Sequence, residues 1–468
     1  MAALPPRPRI IRATDRTRPR RHFHGAAWAA PVAFAAGFVP YHRRTVAAKG
    51  LNMAEEGLAE GIVIVGAGHA GSQLAASLHQ EGYRGPVTLV GAEADFPYHR
   101  PPLSKAFLKS GDDRPQPLRA ESFYASEGVT FLPGVSVSDL DLAGRTLHLS
   151  DGTTRPYGKL VLATGAHARR LNVEGAELDG VVVMRTIADA RAIRARLGDV
   201  GRVVVVGGGF VGLETAATLH ALGKPVSVLE IASRLLGRAV APQISDHVLG
   251  RLQASGVPVS LGMGLARIEG SNGRVTGVVS ATGDTAPADM VLVGIGAEPE
   301  TALAEAAGIL CRNGVLVDGN LRTSNPHVFA IGDCARFDHW QAGRSVRLES
   351  VQNATDQARQ LARFFAGKEE PPPPVPWFWS DIGDMKLQMA GLSFDADTFV
   401  TAGDPSANAF SVYHFRNETL IAVDSVNRAA DHMTARRMLA ASDFALTPAQ
   451  AAGGEANSLF KAWQTAAA

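Results

Sequence analysis

Two groups of glycines, each followed by a carboxylate at the end of the next apolar run, are the residues here whose types and spacing could do chemistry. The first is Gly66-Ala67-Gly68-His69-Ala70-Gly71, with Glu93 just past the apolar run 87–90. The second is Gly207-Gly208-Gly209-Phe210-Val211-Gly212-Leu213-Glu214, with Glu230 just past 226–229. In each group the first glycine permits a tight turn, the second lets backbone approach a pyrophosphate, and the third lets a helix lie close to a strand. A diphosphate would then sit at a helix N-terminus, where free N–H groups and the dipole favour negative charge. The carboxylate after the second strand can accept both hydroxyls of an adenosine ribose. Two such units in one chain imply two dinucleotides. The natural pair is a flavin and a nicotinamide, because hydride passes directly between them. Glu230 would repel a 2′-phosphate, so NADH is favoured over NADPH; Arg234, four residues on, pulls the other way.

The elements that must position these residues are legible as apolar runs. Residues 62–65 and 203–206 read as strands, each feeding a glycine turn and a helix. KLVLATG, ending at Thr164 and Gly165, and MVLVGIG, ending at Gly296, read as buried strands that stop at small residues where backbone can pass a cofactor. VFAIGD reads as a third, and Asp333 at its end is the candidate for the flavin's ribityl hydroxyls, since ligands bind beyond the carboxyl ends of parallel strands. A helix N-cap is the alternative reading of Asp333. Cys334 reads as packing.

The chain of 468 residues, 46% hydrophobic and 19% charged, is long enough for two or three domains. The formal net charge of +1 hides an asymmetry. Residues 1–52 hold ten Lys/Arg and a single acid, Asp15, so the remainder is acidic. Nothing in that remainder suggests a nucleic-acid surface. Two cysteines, Cys311 and Cys334, are not spaced as a redox pair, a metal site or a cluster site. No metal ligands are assigned. A reducing, cytoplasmic setting fits this cysteine usage. Residues 1–52 carry three readings: an extension upstream of a natural start at Met53, a targeting peptide in which Arg20-Arg21 loosely resembles a twin-arginine signal, or a disordered basic tail. The apolar stretch there is too short for a membrane span.

Toward the C-terminus, Glu369-Glu370 and four prolines, 371–374, read as a stiff linker. Trp377-Phe378-Trp379 follows and could cap a flavin. Val400 and residues 410–415 and 420–423 alternate like short strands. Residues 431–441 read as a helix bearing Arg436 and Arg437. These two, with Arg428, could meet an acidic protein or form a solvated face.

From about residue 61 to 450 the chain resembles the flavin-dependent ferredoxin reductases that serve bacterial aromatic dioxygenases and cytochrome monooxygenases. The stretches that carry the resemblance are GAGHAG, YHRPPLSK, LVLATG, MRT, GGGFVGLE, VLVGIG, FAIGDCA, ESVQNATDQA and PWFWSD. The resemblance implies an α/β fold of two Rossmann-like dinucleotide-binding domains, with the NAD domain inserted in the FAD domain, plus a C-terminal α+β domain. The implied limits are 1–58 for the extension, 59–166 and 296–374 for the two parts of the FAD domain, 167–295 for the NAD domain and 375–468 for the C-terminal domain. It implies FAD contacts at Ala70, Glu93, Arg100, Lys105, Val137, Arg185, Asp333 and Val351, with Trp379 near the flavin's exposed edge. It implies NADH held by residues 207–214 and Glu230. Three positions depart from the family pattern: His167 for Arg, Glu300 for Asn, and Ile382 for Gln after WSD. The first two bear on minor cofactor contacts, the third on flavin access or partner fit.

The family pattern also pairs Lys105 with Glu214. Two prolines and Leu103 make a rigid approach to Lys105. Its ammonium would stabilise the negative charge that reduction places on the flavin ring. A partly buried lysine needs a carboxylate beside it, and the pair would orient the nicotinamide; the bland alternative is a surface ion pair. The expected activity is hydride transfer from NADH to FAD, then single-electron release to an iron–sulfur ferredoxin, by a monomer or homodimer. A disulfide reductase is rejected, because residues 96–105 contain no cysteine. A flavin NADH oxidase or apoptosis-inducing-factor-like protein, and an NADH-responsive redox sensor, stay open.

Overall fold

The computed structural model describes residues 10–12 and 61–467. Apart from Ile10–Arg12, the segment discussed above as an extension or targeting peptide lies outside the described residues.

Two five-stranded parallel sheets organise the molecule. The first runs Val328–Ala330, Lys159–Leu162, Ile62–Val65, Val87–Gly91, Val129–Pro133 in space. The second runs Val181–Val183, Met290–Val293, Val203–Val206, Val226–Glu230, Val259–Leu261. Every pairing in both is parallel. Strands covered on both faces carry apolar runs, and IVIV, VVVV and MVLV are apolar and buried along their whole length, as is KLVL after its buried first residue, Lys159. The chain leaves the first sheet and returns to it through two antiparallel strands lying side by side, Ala166–Ala168 and Ala297–Pro299.

The helices that follow the glycine turns are His69–Gln80 and Phe210–Ala221. His69–Gln80 packs along Val351–Phe365, with Leu74, Leu78, Ala354 and Leu361 in one apolar cluster. Two three-stranded antiparallel sheets, residues 137–156 and 265–287, had no counterpart in the reading of the sequence.

The C-terminal part is an antiparallel sheet in the order Thr398–Asp404, Ala409–Arg416, Thr419–Val426, Met385–Gly391, Trp377–Ile382. Ile10–Arg12 pairs with its outer edge, Ile11 opposite Phe399. One face is covered by helices Ala429–Ala440 and Ala456–Ala467. The first of these begins two residues before the expected position. The other face of the sheet packs on the second parallel unit. Phe410, Val412, Val426, Met385, Leu387 and Ile382 share one core with Leu235, Ile244, Val248 and Leu252. Ile382 is wholly buried there. Its departure from the family pattern is therefore a packing change and not an alteration of an exposed edge. Polar ties reinforce the contact: Ala241 N–H donates to Asp424 at 2.8 Å, and His247 bonds Asn408 at 2.7 Å.

Among the described residues, no helix is long and apolar enough to cross a membrane, and no cluster of His, Cys, Asp or Glu could hold a metal ion.

Candidate active site

The first glycine turn shows why three positions need glycine for different reasons. Gly66 has φ +113°, and a side chain there would strike the carbonyl of Ala163. At Gly71 a side chain would strike the carbonyl of Gly66. Gly68 faces open space, with nothing within 4 Å of a side-chain position. The turn thus presents bare backbone to a void at the start of a helix whose N-cap supplies no side-chain hydrogen bond. His69, the first helical residue, has a buried Nε2 without a partner. Gln357, whose Oε1 accepts from Gly332 N–H at 2.7 Å, has a buried and unpartnered Nε2. Open space beside bare backbone at a helix N-terminus fits the diphosphate of FAD.

Four of the expected flavin residues form one chain of hydrogen bonds. Glu93 accepts from Tyr98 Oη and from Arg100, both at 2.6 Å. Arg100 donates to the carbonyl of Arg185 at 2.8 Å, and Arg185 donates to Asp333 at 2.9 Å and to the Ala166 carbonyl at 2.8 Å. Tyr98 Oη also accepts from Ile187 N–H at 2.9 Å, which ties the first unit to the second. Tyr98 was missed in the sequence because a buried tyrosine has no spacing signature. Asp333 lies in a 3-10 turn capped by Ile331, so it is not an N-cap. Cys334 is buried, its Sγ against the carbonyls of Leu162 and Ile331. Burial pushes the Cys311 thiol up to about 11. Neither thiol is poised to react.

Thr164 hydroxyl donates to the carbonyl of Glu300 at 2.8 Å, and Gly165 has φ +75°. Val351 opens the helix capped by Ser350, and Val137 opens an edge strand of the small sheet 137–156. Ala70 is buried beside Gly332. The departures His167 and Glu300 face each other at 2.8 Å. The two departures are thus hydrogen-bonded to each other, joining the ends of the two crossover strands.

The second turn repeats the geometry of the first. Gly207 has φ +107° and abuts the carbonyl of Gly294, and Gly212 abuts the carbonyl of Gly207. Gly209 has more room, 3.6 Å to the nearest atom, and Gly296 has φ +110°. Glu230 accepts from the N–H groups of Gly208 and Ala232. Its carboxylate is thereby fixed beside the turn. Arg234, the residue that could have welcomed a 2′-phosphate, is committed to Ser245 Oγ and to the carbonyls of Val240 and Gly237.

The two units and the C-terminal sheet meet at Glu214. This carboxylate, 6% exposed, receives Lys105 Nζ at 2.8 Å, Ser104 Oγ at 2.6 Å, Ser380 Oγ at 2.7 Å and Asp381 N–H at 3.2 Å. Lys105 has a side-chain exposure of 20%. The pair is therefore not the surface contact that formed the bland alternative. Ser104, Ser380 and Asp381 were not assigned from sequence; the last two arrive from a strand some 166 residues away in the chain. Phe378 on that same strand packs against Phe210 at the second turn, ring centroids 4.8 Å apart. Trp379 stands between Phe378 and Trp377, its ring 5.3 Å from that of Trp377. Arg436 lies 4.9 Å above Trp377. Arg428 is paired with Asp431 and Glu455, and Arg437 lies over Phe460. The three arginines are thus engaged within their own domain.

Two dinucleotide-binding units joined through a buried lysine–glutamate pair, with no reactive thiol, define a flavin- and nicotinamide-dependent oxidoreductase. The chain belongs to the pyridine nucleotide-disulphide oxidoreductase family, which it matches over residues 60–358, and residues 377–459 match the reductase C-terminal family. It is 42% identical to the rhodocoxin reductase of Rhodococcus erythropolis over 84% of this chain and 92% of that one. The crystal structure of the ferredoxin reductase of the CYP199A2 system from Rhodopseudomonas palustris superposes with a TM-score of 0.83 at 44% identity, over 86% of this chain and 99% of the other. The putidaredoxin reductase in its covalent complex with putidaredoxin gives 0.82 at 36% identity, over 86% and 98%. FAD and a nicotinamide dinucleotide are the cofactors of this family.

Proposed function

We propose that this protein is the reductase of an oxygenase system, carrying electrons from NADH to an iron–sulfur ferredoxin. The relatives support it: they are ferredoxin, rubredoxin and putidaredoxin reductases, and they are covered over nearly their full length. One hydride enters per turnover; two electrons leave singly and one proton is released. FAD, when bound, supplies the exchange between a hydride and single electrons. The protein's own share is placement and charge. The observation that carries the reading is the Glu214 junction, where both dinucleotide units and the C-terminal sheet converge on one carboxylate.

Lys105 holds a positive charge at the meeting point of the two units, where negative charge develops on reduction. Glu214 keeps that ammonium in place, and Ser104 and Ser380 keep Glu214 in place. The rigid approach through Pro101 and Pro102 limits Lys105 to a small range, which favours alignment over search. The carboxylate of Glu230 and the prior engagement of Arg234 support NADH over NADPH. Glu93, Arg100, Arg185 and Asp333 line the flavin side, and Trp379 fits the edge from which electrons leave.

The test is anaerobic stopped-flow spectroscopy of the FAD-loaded protein. NADH is expected to bleach the flavin absorbance, and oxidised ferredoxins of oxygenase systems are expected to restore it faster than dissolved oxygen does. A flavin that NADH leaves oxidised, or one re-oxidised rapidly by oxygen and not by any ferredoxin, overturns the proposal.

A further inference from the structure

We propose that Arg194 is a positioning residue for flavin reduction: reaching across from the second parallel unit, it aims the loop tip that carries Lys105. This rests on the reading above that Lys105 acts on the flavin. Residues 97–118 leave the first unit and return beside their starting point. His99 N–H donates to the Gln116 carbonyl at 2.9 Å, and Leu118 N–H to the Pro97 carbonyl at 2.8 Å, which closes the stem. Lys105 stands near the middle of this loop, as N-cap of the short helix Ala106–Lys109. Pro101 and Pro102 stiffen the approach to Lys105, but a helix of one turn beyond it has little stiffness of its own. The heading of the tip must be set from outside the loop.

Two kinds of contact dock the tip on the second unit. Leu103, Phe107 and Leu108 are buried with Ile187, Ala190 and Ile193 of helix Ile187–Arg196. Apolar burial is non-directional, so it fixes the depth of the tip and not its heading. Arg194, on the same helix, supplies direction. Its guanidinium lies 4.4 Å from the centre of the Phe107 ring, donates to the carbonyls of Asp112 at 2.7 Å and Ser110 at 3.2 Å, and pairs with the carboxylate of Asp113. A planar fork spent on backbone carbonyls holds that backbone in one orientation. Arg191, three positions earlier and so on the same helix face, makes two bonds of 2.8 Å to Asp95 in the body of the first unit and meets Asp113 at 3.1 Å. One helix face thus grips both the body of the first unit and the tip of its loop. Arg194 is not among the groups around Glu214. It acts through the segment 106–113, which carries its grip back to Lys105.

The experiment is a double-mutant cycle on FAD-loaded protein: wild type, Arg194→Met, Lys105→Met and the double variant, each mixed anaerobically with a series of NADH concentrations. Loss of flavin absorbance gives the limiting reduction rate and the apparent Kd of NADH separately. Arg194→Met is expected to lower the limiting rate by about fivefold or more, since a small misplacement of an acting group is costly. The apparent Kd of NADH is expected to stay within about twofold of wild type. In the Lys105→Met background, Arg194→Met is expected to change the rate by less than about twofold, because the group it aims is already gone. An unchanged rate in Arg194→Met overturns the proposal. So does a loss of the same size in both backgrounds, which would mark a general loosening of the two units, or a loss confined to NADH affinity. The flavin spectrum and thermal midpoint of each holoprotein check the fold. If Arg194→Met does not retain FAD, Arg194→Lys, which keeps a cation near Phe107 and loses the fork, goes through the same cycle with the same outcomes. Lys105→Met reduced at the wild-type rate overturns the role of Lys105 and this proposal together. A slow Lys105→Met beside an unchanged Arg194→Met overturns this proposal alone.

Discussion

Glu214 shows how a single carboxylate can set the relation of three parts of a chain. Its oxygens take donors from the Pro-Pro approach (Ser104, Lys105) and from the first strand of the C-terminal sheet (Ser380, Asp381), while its own helix starts at the second glycine turn. Removing the ammonium leaves a buried carboxylate with three neutral donors, so the loss is softened but the positive charge proposed to act on the flavin is gone. Lys105→Met is expected to retain FAD and to slow flavin reduction by NADH by at least about tenfold, measured in single-turnover mixing. An unchanged rate would leave the pair with a structural role alone. Lys105 and Glu214 were legible because the proline pair and the glycine turn flank them. Ser380 was not, because nothing local marks a serine that reaches back 166 positions. His432 makes a second residue-scale prediction. It is 1% exposed, neither ring nitrogen has a partner, and burial, with Arg436 nearby, lowers its pKa to about 4. The folded value lies below the unfolded value of about 6.5. Above that pH both states are neutral and nothing is lost. Between about 6.5 and about 4 the unfolded chain takes up a proton that the folded chain refuses, so stability falls with pH. Urea unfolding at pH 7.5 and pH 5 is expected to show a smaller drop for His432→Leu than for wild type; equal drops would contradict this.

At the scale of elements, the two glycine turns separate steric need from ligand need. Gly71 has no room for a methyl group against the Gly66 carbonyl, whereas Gly68 has ordinary φ and empty space. Gly71→Ala is expected to lower the thermal midpoint of the apoprotein, with a cost of about 1–3 kcal/mol from overpacking. Gly68→Ala is expected to leave that midpoint within a degree or two and to weaken FAD binding instead. Calorimetry of the apoproteins and a flavin titration distinguish the two, and matching effects would refute the division. The core strands were readable because residues buried on both faces must be apolar throughout, as in VVVV and MVLV. The antiparallel sheets at 137–156 and 265–287 were not. Their edge strands break the two-residue alternation, since Val137–Asp141 and Leu265–Ser271 each set two exposed residues between apolar ones at a register shift, a pattern that solvated loops share. Ile382 was misjudged for the opposite reason. On a strand Ile382 shares its face with Phe378 and Ser380, the face turned toward the second parallel unit, while Trp377 and Trp379 point the other way.

For the molecule as a whole, the second parallel unit and the C-terminal sheet are not separate bodies resting on each other. Phe410 and Val412 from one lie in the same core as Val248 and Leu252 from the other, with Asp424 capping the Ala241 amide where helix Pro242–Ala254 begins. Phe410→Ala is expected to cost about 3–5 kcal/mol and to raise hydrogen exchange in Val203–Val206 together with that in Ala409–Arg416. Loss of protection confined to the sheet would show that the two units fold independently.

That common interior bears on anyone who would change this enzyme's taste in coenzymes by transplanting a nucleotide-binding segment from a relative. The graft must bring along the facing side chains of residues 382–387 and 410–426, or repack them, because the donor segment arrives with half of an interior and not with a surface.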